Sequence, residues 1–210
     1  MTENFSFLKN GPILFVGAHP DDVELGCGGL IHKLKKSHEI YVLTLSKNLK
    51  NPNNKNLVNE QIQCLLSLGI KRKNILHGDF ITREFSDNRQ DICDFLWKIQ
   101  KKLNPLTVFI TPHDLHQDHQ VCNDECLRVF RTQSVLEYNL SRSTVFPKPS
   151  VFVTLTKKDL DAKLKALSFY KTYRKKNYFS KTILTATAST PGVRHEIALC
   201  EAFVAKSLVI

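Results

Sequence analysis

Long apolar runs are missing from this chain. No stretch approaches the roughly 18 residues that a membrane-spanning helix requires, and Met1 to Gly11 carries only the short apolar cluster Phe5 to Leu8, without the apolar core and small-residue cleavage site of a secretory leader. The expected compartment is the cytoplasm. Paired cysteines are missing as well. Cys27, Cys64, Cys93, Cys122, Cys126 and Cys200 are scattered with no Cys-x-x-Cys pair, in a chain too large to need disulfide staples. They read as small buried hydrophobes.

Acidic residues are the minority, 20 against 30 lysines and arginines, for a net charge of +10. That excess attracts anions in general. Its lysines, however, come in dispersed pairs near predicted helix ends, where cations complement the helix dipole, so nucleic acid is not an expected partner. A dinucleotide fingerprint is also absent. Gly17 and Gly26 stand too far apart for Gly-x-Gly-x-x-Gly, and the acidic pair between them would repel a phosphate.

What is present is an alternation of short apolar runs and amphipathic stretches. Ile13 to Gly17, Ile40 to Leu45, Ile75-Leu76, Thr107 to Ile110 and Val151 to Leu155 read as strands, and Ile183 to Ala188 as a late one. Gly28 to Lys36, Val58 to Leu68, Arg89 to Leu103, His119 to Val135, Lys158 to Tyr173 and His195 to Leu208 read as helices. Neither a repeat nor a two-domain pattern emerges. The expectation is one α/β domain over residues 1–210, Rossmann-like, with a mostly parallel sheet and helices on both faces. Between Lys47 and Leu57 lies an Asn- and Lys-rich loop too polar to pack, placed to overhang the carboxyl end of the second strand.

Two clusters of chemically able residues follow buried strands. The first is Ala18-His19-Pro20-Asp21-Asp22-Val23-Glu24-Leu25-Gly26-Cys27-Gly28-Gly29. His19 and Asp22, three residues apart on a turn, can point an imidazole and a carboxylate at one metal. The second is His113-Asp114-Leu115-His116-Gln117-Asp118-His119. If the two strands are neighbours, the loops meet, and two histidines with one carboxylate and an open position form a catalytic zinc site. The adjacent carboxylates Asp21 and Asp22 then divide the work, one ligating and one accepting a proton from water. His116 would stand near the metal without necessarily binding it, as a protonated imidazole able to stabilise an oxyanion. Read singly, His-Pro-Asp-Asp is a turn whose Asp caps a helix. The glycines after it permit close helix packing.

These two motifs resemble those of the PIG-L/LmbE-like family of zinc-dependent sugar de-N-acetylases, the second through His116-Gln117-Asp118-His119. The resemblance implies that His19, Asp22 and His119 bind zinc or another divalent metal, that Asp21 is the general base, and that His116 serves the oxyanion or the leaving amine. It implies that Asp118 tunes the neighbouring histidine. The implied substrate is a small N-acetylated sugar conjugate, for which the basic surface admits an anionic aglycone, and the implied products are acetate and a free amine. The same chemistry on another acylated amine, such as a lipid-linked or antibiotic intermediate, is an alternative, as is a metal-free sugar- or nucleotide-binding module. One departure stands out. Many relatives carry an arginine shortly before the glutamate of the second helix, and Lys55 to Asn59, before Glu60, contains none. Glu24 reads most simply as a helix-start carboxylate. His113 reads as a residue beside the site or merely at a strand end, and His195 as one that approaches from the last loop, while His32, His38 and His77 read as surface or packing residues.

Overall fold

Five apolar residues, Ile13–Gly17, form the first strand, β1, and every one is buried. Alternation sends Ile13 and Phe15 to one face of the sheet and Leu14 and Val16 to the other. A strand buried on both faces needs helices on both, and the rest of the chain supplies them. In this computed structural model, which describes Leu8, residues 11–140 and residues 148–209, the order continues α1 (Asp22–Leu34), β2 (Ile40–Thr44), α2 (Leu57–Leu68) and β3 (Ile75–His77). Then come α3 (Arg89–Leu103), β4 (Thr107–Ile110), α4 (Gln117–Val129) and β5 (Ser134–Tyr138). The last elements are β6 (Val151–Thr154), α5 (Lys157–Leu167), α6 (Lys181–Ser189) and β7 (Cys200–Ser207). Phe5 to Phe7 of the amino-terminal apolar cluster lie outside the described residues.

The seven strands run in the order β3-β2-β1-β4-β5-β7-β6. The first five are parallel, and β7 is antiparallel to both β5 and β6. One core holds α1, α2 and α5 against the face bearing Phe15, and a second holds α3 and α4 against the face bearing Val16. Phe15 stacks on Phe109 of β4 with centroids 4.7 Å apart, and Phe203 of β7 meets Phe109 edge-on at 5.1 Å. The fold is the mixed α/β sheet that the alternation of elements implies. From β1 the chain turns to β2 on one side and later returns to β4 on the other, so a crevice opens where the loops after β1 and β4 diverge.

Helix α1 starts at Asp22, six residues earlier than the apolar pattern predicts, and takes the glycines into its body. Their lack of side chains is needed for close approach. A Cβ on Gly26 would stand 2.4 Å from the Tyr138 ring, and one on Gly29 would stand 2.5 Å from Leu155. Beside Gly29 the buried Glu201 carboxylate of β7 accepts the N–H groups of Gly29 and Leu30, at 2.9 and 2.7 Å, and the Lys163 ammonium at 2.7 Å. All six cysteines are free and buried, as expected of small hydrophobes.

Other elements differ from the sequence reading, mostly beyond residue 129. Ile183 to Ala188 is helix, not strand: Ser180 caps it by accepting the Ile183 N–H, and the buried Leu184 and Ala188 lie one helical turn apart. The Thr-Ala alternation there mimics a strand period. His195 to Leu208 is not a helix but a short turn followed by β7. Its Ala, Glu and Leu content favours helix, yet its backbone groups are taken by β5 on one side and β6 on the other. The helix read over His119 to Val135 stops at Val129, and Val135 belongs to β5, a short strand with no pattern of its own. Helix α5 ends at Leu167 instead of Tyr173.

Candidate active site

Because β1 and β4 are hydrogen-bonded neighbours, their carboxyl ends deliver the two clusters to one place. Leaving β1, the turn reaches Asp21 at φ 102°, a strained backbone for a side-chain-bearing residue. Asp21 occupies the N-cap position of α1, but its side chain makes no capping hydrogen bond. The simple turn-and-cap reading therefore does not account for it. Asp22 opens α1 fully buried, and its Oδ2 accepts the His19 N–H at 2.9 Å. From β4, His116 caps α4, its Nδ1 accepting the Asp118 N–H at 3.2 Å, and His119 follows in the first turn.

The ring nitrogens of His19, His116 and His119 lie within 4.8 Å of one another. Proximity alone would group three histidines, but their hydrogen bonds separate them. His19 Nε2 meets Asp118 Oδ2 at 2.8 Å, which leaves Nδ1 with the open lone pair, 3.7 Å from Asp22 Oδ2. His119 Nδ1 meets Asp114 Oδ2 at 2.9 Å, and its Nε2 faces Asp22 Oδ2 at 3.4 Å, buried and without a hydrogen-bond partner. Donors about 2.0–2.1 Å from a tetrahedral ion stand about 3.3–3.4 Å from each other, so these separations fit one metal shared by His19, Asp22 and His119. His116 is different. Its Nδ1 is the acceptor, so its proton sits on Nε2 and no lone pair is left there for a metal.

Charge follows the same partition. Burial pushes the His119 pKa down, but Asp22 and Asp114 outweigh it and raise the value to about 10, which marks a place prepared for positive charge. Burial, then the facing His19 and His119, lowers His116 to about 4. His116 is thus a neutral N–H donor, where the sequence reading has a protonated imidazole. Burial raises the Asp118 carboxyl, but the hydrogen bonds from His19 and from the Arg83 N–H overcome this and hold it below its ordinary value.

The sequence-predicted residues therefore converge, with one redirection: the Asp118 carboxylate orients His19, 99 residues away, and not the adjacent His119, whose Nδ1 goes to Asp114. Others do not converge. His113 is exposed, 3.7 Å from Asp124, and His195 packs on Phe152. His32 pairs with Asp159 and His77 with Gln61. Glu24 is buried and accepts the Tyr170 hydroxyl at 2.9 Å; burial pushes its pKa up to about 7. Sequence reading passed over Asp114, which accepts from both His119 and the His116 N–H. Its only signal was a carboxylate in the same loop.

Above this cluster lies a cleft of about 670 Å³ with His19, Asp21 and His116 at its base. The polar loop after β2 overhangs it, as its composition anticipates, through Asn48, Asn51 and Asn54. A more apolar groove of about 480 Å³, between α6 and β7, contains none of the cluster residues.

A family model described as PIG-L, GlcNAc-PI de-N-acetylase, matches residues 14–130. The uncharacterized deacetylase YaiS of Escherichia coli (strain K12) is 29% identical over 173 residues, covering 78% of this chain and 92% of that protein. Among solved structures, N,N'-diacetylchitobiose deacetylase from Pyrococcus horikoshii superposes with a TM-score of 0.78 at 19% identity, over 93% of this chain and 83% of that one. GalB, the 4-carboxy-2-hydroxymuconate hydratase from Pseudomonas putida KT2440, gives 0.75 at 13% identity, over 95% and 98%. At such identities these likenesses concern the fold alone, and a hydratase among them shows that the fold does not dictate the reaction. The match over residues 14–130 takes in β1 through α4, both motifs and every residue of the cluster, and on that ground the chain belongs to the PIG-L family of deacetylases.

Proposed function

We propose that the protein is a metal-dependent N-deacetylase that hydrolyses the acetamide of an N-acetylglucosamine-type conjugate to acetate and a free amine. The observation that carries this reading is the commitment of ring nitrogens. His19 and His119 each give their outer nitrogen to a carboxylate and turn the other toward Asp22, the arrangement that fixes metal-binding histidines. In this reading His19, Asp22 and His119 hold zinc or another divalent cation. Bound there, the ion supplies Lewis-acid polarisation of the acyl carbonyl and makes water more acidic.

The chain's own residues do the rest. Asp21, beside Asp22 and lining the base of the cleft, takes the proton of the water that attacks the carbonyl. His116 keeps its Nε2–H because Nδ1 accepts from the backbone, and that N–H donates a hydrogen bond to the oxyanion or to the leaving nitrogen. Water adds to the acyl carbon, and the proton that Asp21 took passes to the amine as the C–N bond breaks. The Asn-rich loop supplies amides suited to sugar hydroxyls.

Release of acetate from a panel of N-acetylated sugar conjugates tests the reading, together with metal content. Asp21→Asn is expected to keep the metal and lose about 10²- to 10⁴-fold in rate. His119→Ala is expected to lose the metal itself. A protein that carries no stoichiometric metal, or one whose turnover is indifferent to Asp21→Asn, contradicts it.

A further inference from the structure

One wall of the cleft comes from the segment after α5, which supplies Thr172, Tyr173, Lys176 and Tyr178. Its aromatic residues are packed together. Tyr173 lies near-parallel to Tyr170, at 6° with centroids 6.1 Å apart, and Phe179 meets both rings, 5.4 Å from Tyr170 and 5.7 Å from Tyr173. Tyr170 is buried and Tyr173 half-buried. The inner ring therefore backs the outer one, and the outer one lines the cleft with His19, Asp21 and His116.

This wall is tied to the rest of the site at three points. The Tyr170 hydroxyl donates to Glu24 Oε1 at 2.9 Å, so a glutamate of the first motif holds the inner ring. Glu60 of α2 accepts the Thr172 N–H with both carboxylate oxygens, at 3.2 and 3.1 Å. The Tyr173 hydroxyl accepts from Asn48 Nδ2 at 3.1 Å, and Asn48 Oδ1 accepts the Thr82 hydroxyl at 3.1 Å. The next residue, Arg83, holds φ 72°, a strained left-handed backbone, with its N–H on Asp118 Oδ2 at 2.7 Å and its carbonyl on Gln117 Nε2 at 2.8 Å. Hydrogen bonds and one peptide link thus run from Tyr173 to the carboxylate that orients His19.

The same cleft is lined by Asn48, Asn51, Asn53 and Asn54. An aromatic ring beside several neutral amides suits a molecule that has one flat apolar face and many hydroxyls. A pyranose chair is such a molecule. Its axial C–H groups form a face that lies on the electron-rich face of an aromatic ring, and its hydroxyls exchange hydrogen bonds with amides. An acyl chain or an open-chain amine has no such face.

We propose that Tyr173 is a specificity-determining residue, the platform on which the sugar ring of the substrate stacks, and that Tyr170 and Glu24 position it. This rests on the deacetylase reading, and it selects a cyclic amino sugar over other acylated amines by ring shape.

The test compares acetate release from methyl N-acetylglucosaminide and from N-acetylglucosaminitol, which has the same acetamide on an opened ring, with the metal-loaded protein. The closed ring is expected to exceed the open one in kcat/KM by about tenfold or more, the scale of an aromatic contact. Tyr173→Ala collapses that ratio through KM, at unchanged kcat and metal content, whereas Tyr173→Phe and Tyr173→Trp, which keep a ring, retain most of it. Tyr170→Phe, which frees the inner ring from Glu24, shrinks the ratio less than Tyr173→Ala. Calorimetric binding of methyl glucosaminide against glucosaminitol, on the same proteins, separates the two readings. Acetate release with no ring preference, with a preference unmoved by Tyr173→Ala, or with one lost equally in the Phe and Trp variants overturns the platform. Tyr173-dependent binding of the closed ring without acetate release from either compound overturns the deacetylase reading and keeps the platform. Neither release nor Tyr173-dependent binding overturns both.

Discussion

At the base of the cleft, His19, Asp22, Asp114, Asp118 and His119 are at most 6% exposed, and each is oriented by a hydrogen bond to another member or to the backbone. At its rim, Arg83 and Lys176 are exposed and their side chains stand without partners among the described residues. The base is preorganised, as the proposed metal set must be before a substrate arrives. The rim leaves its charges unspent, and a charge not satisfied internally is available to a ligand. Base and rim are joined by Asp118, which holds both His19 and the Arg83 backbone, and by Gln117, which holds the Arg83 carbonyl.

That division can be broken by variants of the supporting residues. Asp118→Asn is expected to have the largest effect, about 10- to 100-fold in metal affinity, as when a carboxylate behind a metal-binding histidine is lost. Chelator competition measures it, and an unchanged affinity would remove Asp118 from the base. Glu60→Ala loosens the segment that bears Lys176 and is expected to raise KM for sugar conjugates by about fivefold, the worth of one hydrogen bond. Metal content should stay put; loss of metal would show that rim and base are not separate. The smallest effect belongs to Asp159, far from both. Burial raises its carboxyl, but hydrogen bonds from Thr156 and His32 outweigh this and hold it below its usual value. Its stabilisation is therefore present at neutral pH and lost as pH falls through that lowered value. Asp159→Asn should cost about 1 kcal/mol near pH 7 and less in acid, read by urea unfolding at both.

How far the sequence discloses this molecule follows the same line. That His19, Asp22, His116 and His119 meet is legible because ligand-capable residue types stand at two strand ends, and β1 and β4 announce themselves as short apolar runs. Partner choice is not legible. Asp118 adjoins His119 in the chain yet orients His19, and Asp114 serves His119 from a loop in which any carboxylate would look alike. Arg83 reads as one more surface arginine, since its backbone strain exists only once Asp118 and Gln117 are in place. Beyond α4, local preference misleads: residues 200–207 have a helical composition, but two flanking strands decide their state. The Thr-Ala run of α6 errs the other way.

Glu201 carries a consequence for the order in which the chain is made. Its carboxylate accepts the N–H groups of Gly29 and Leu30, 172 and 171 residues earlier, and it sits in the strand that joins β6 to the sheet. A ribosome adding about 5–20 residues per second therefore releases the first motif on the order of ten seconds or more before the strand that anchors its helix. During that interval the Gly29 and Leu30 amides lack the Glu201 carboxylate and β6 lacks its neighbour, so the nascent chain holds both loops of the cluster before it can hold them still.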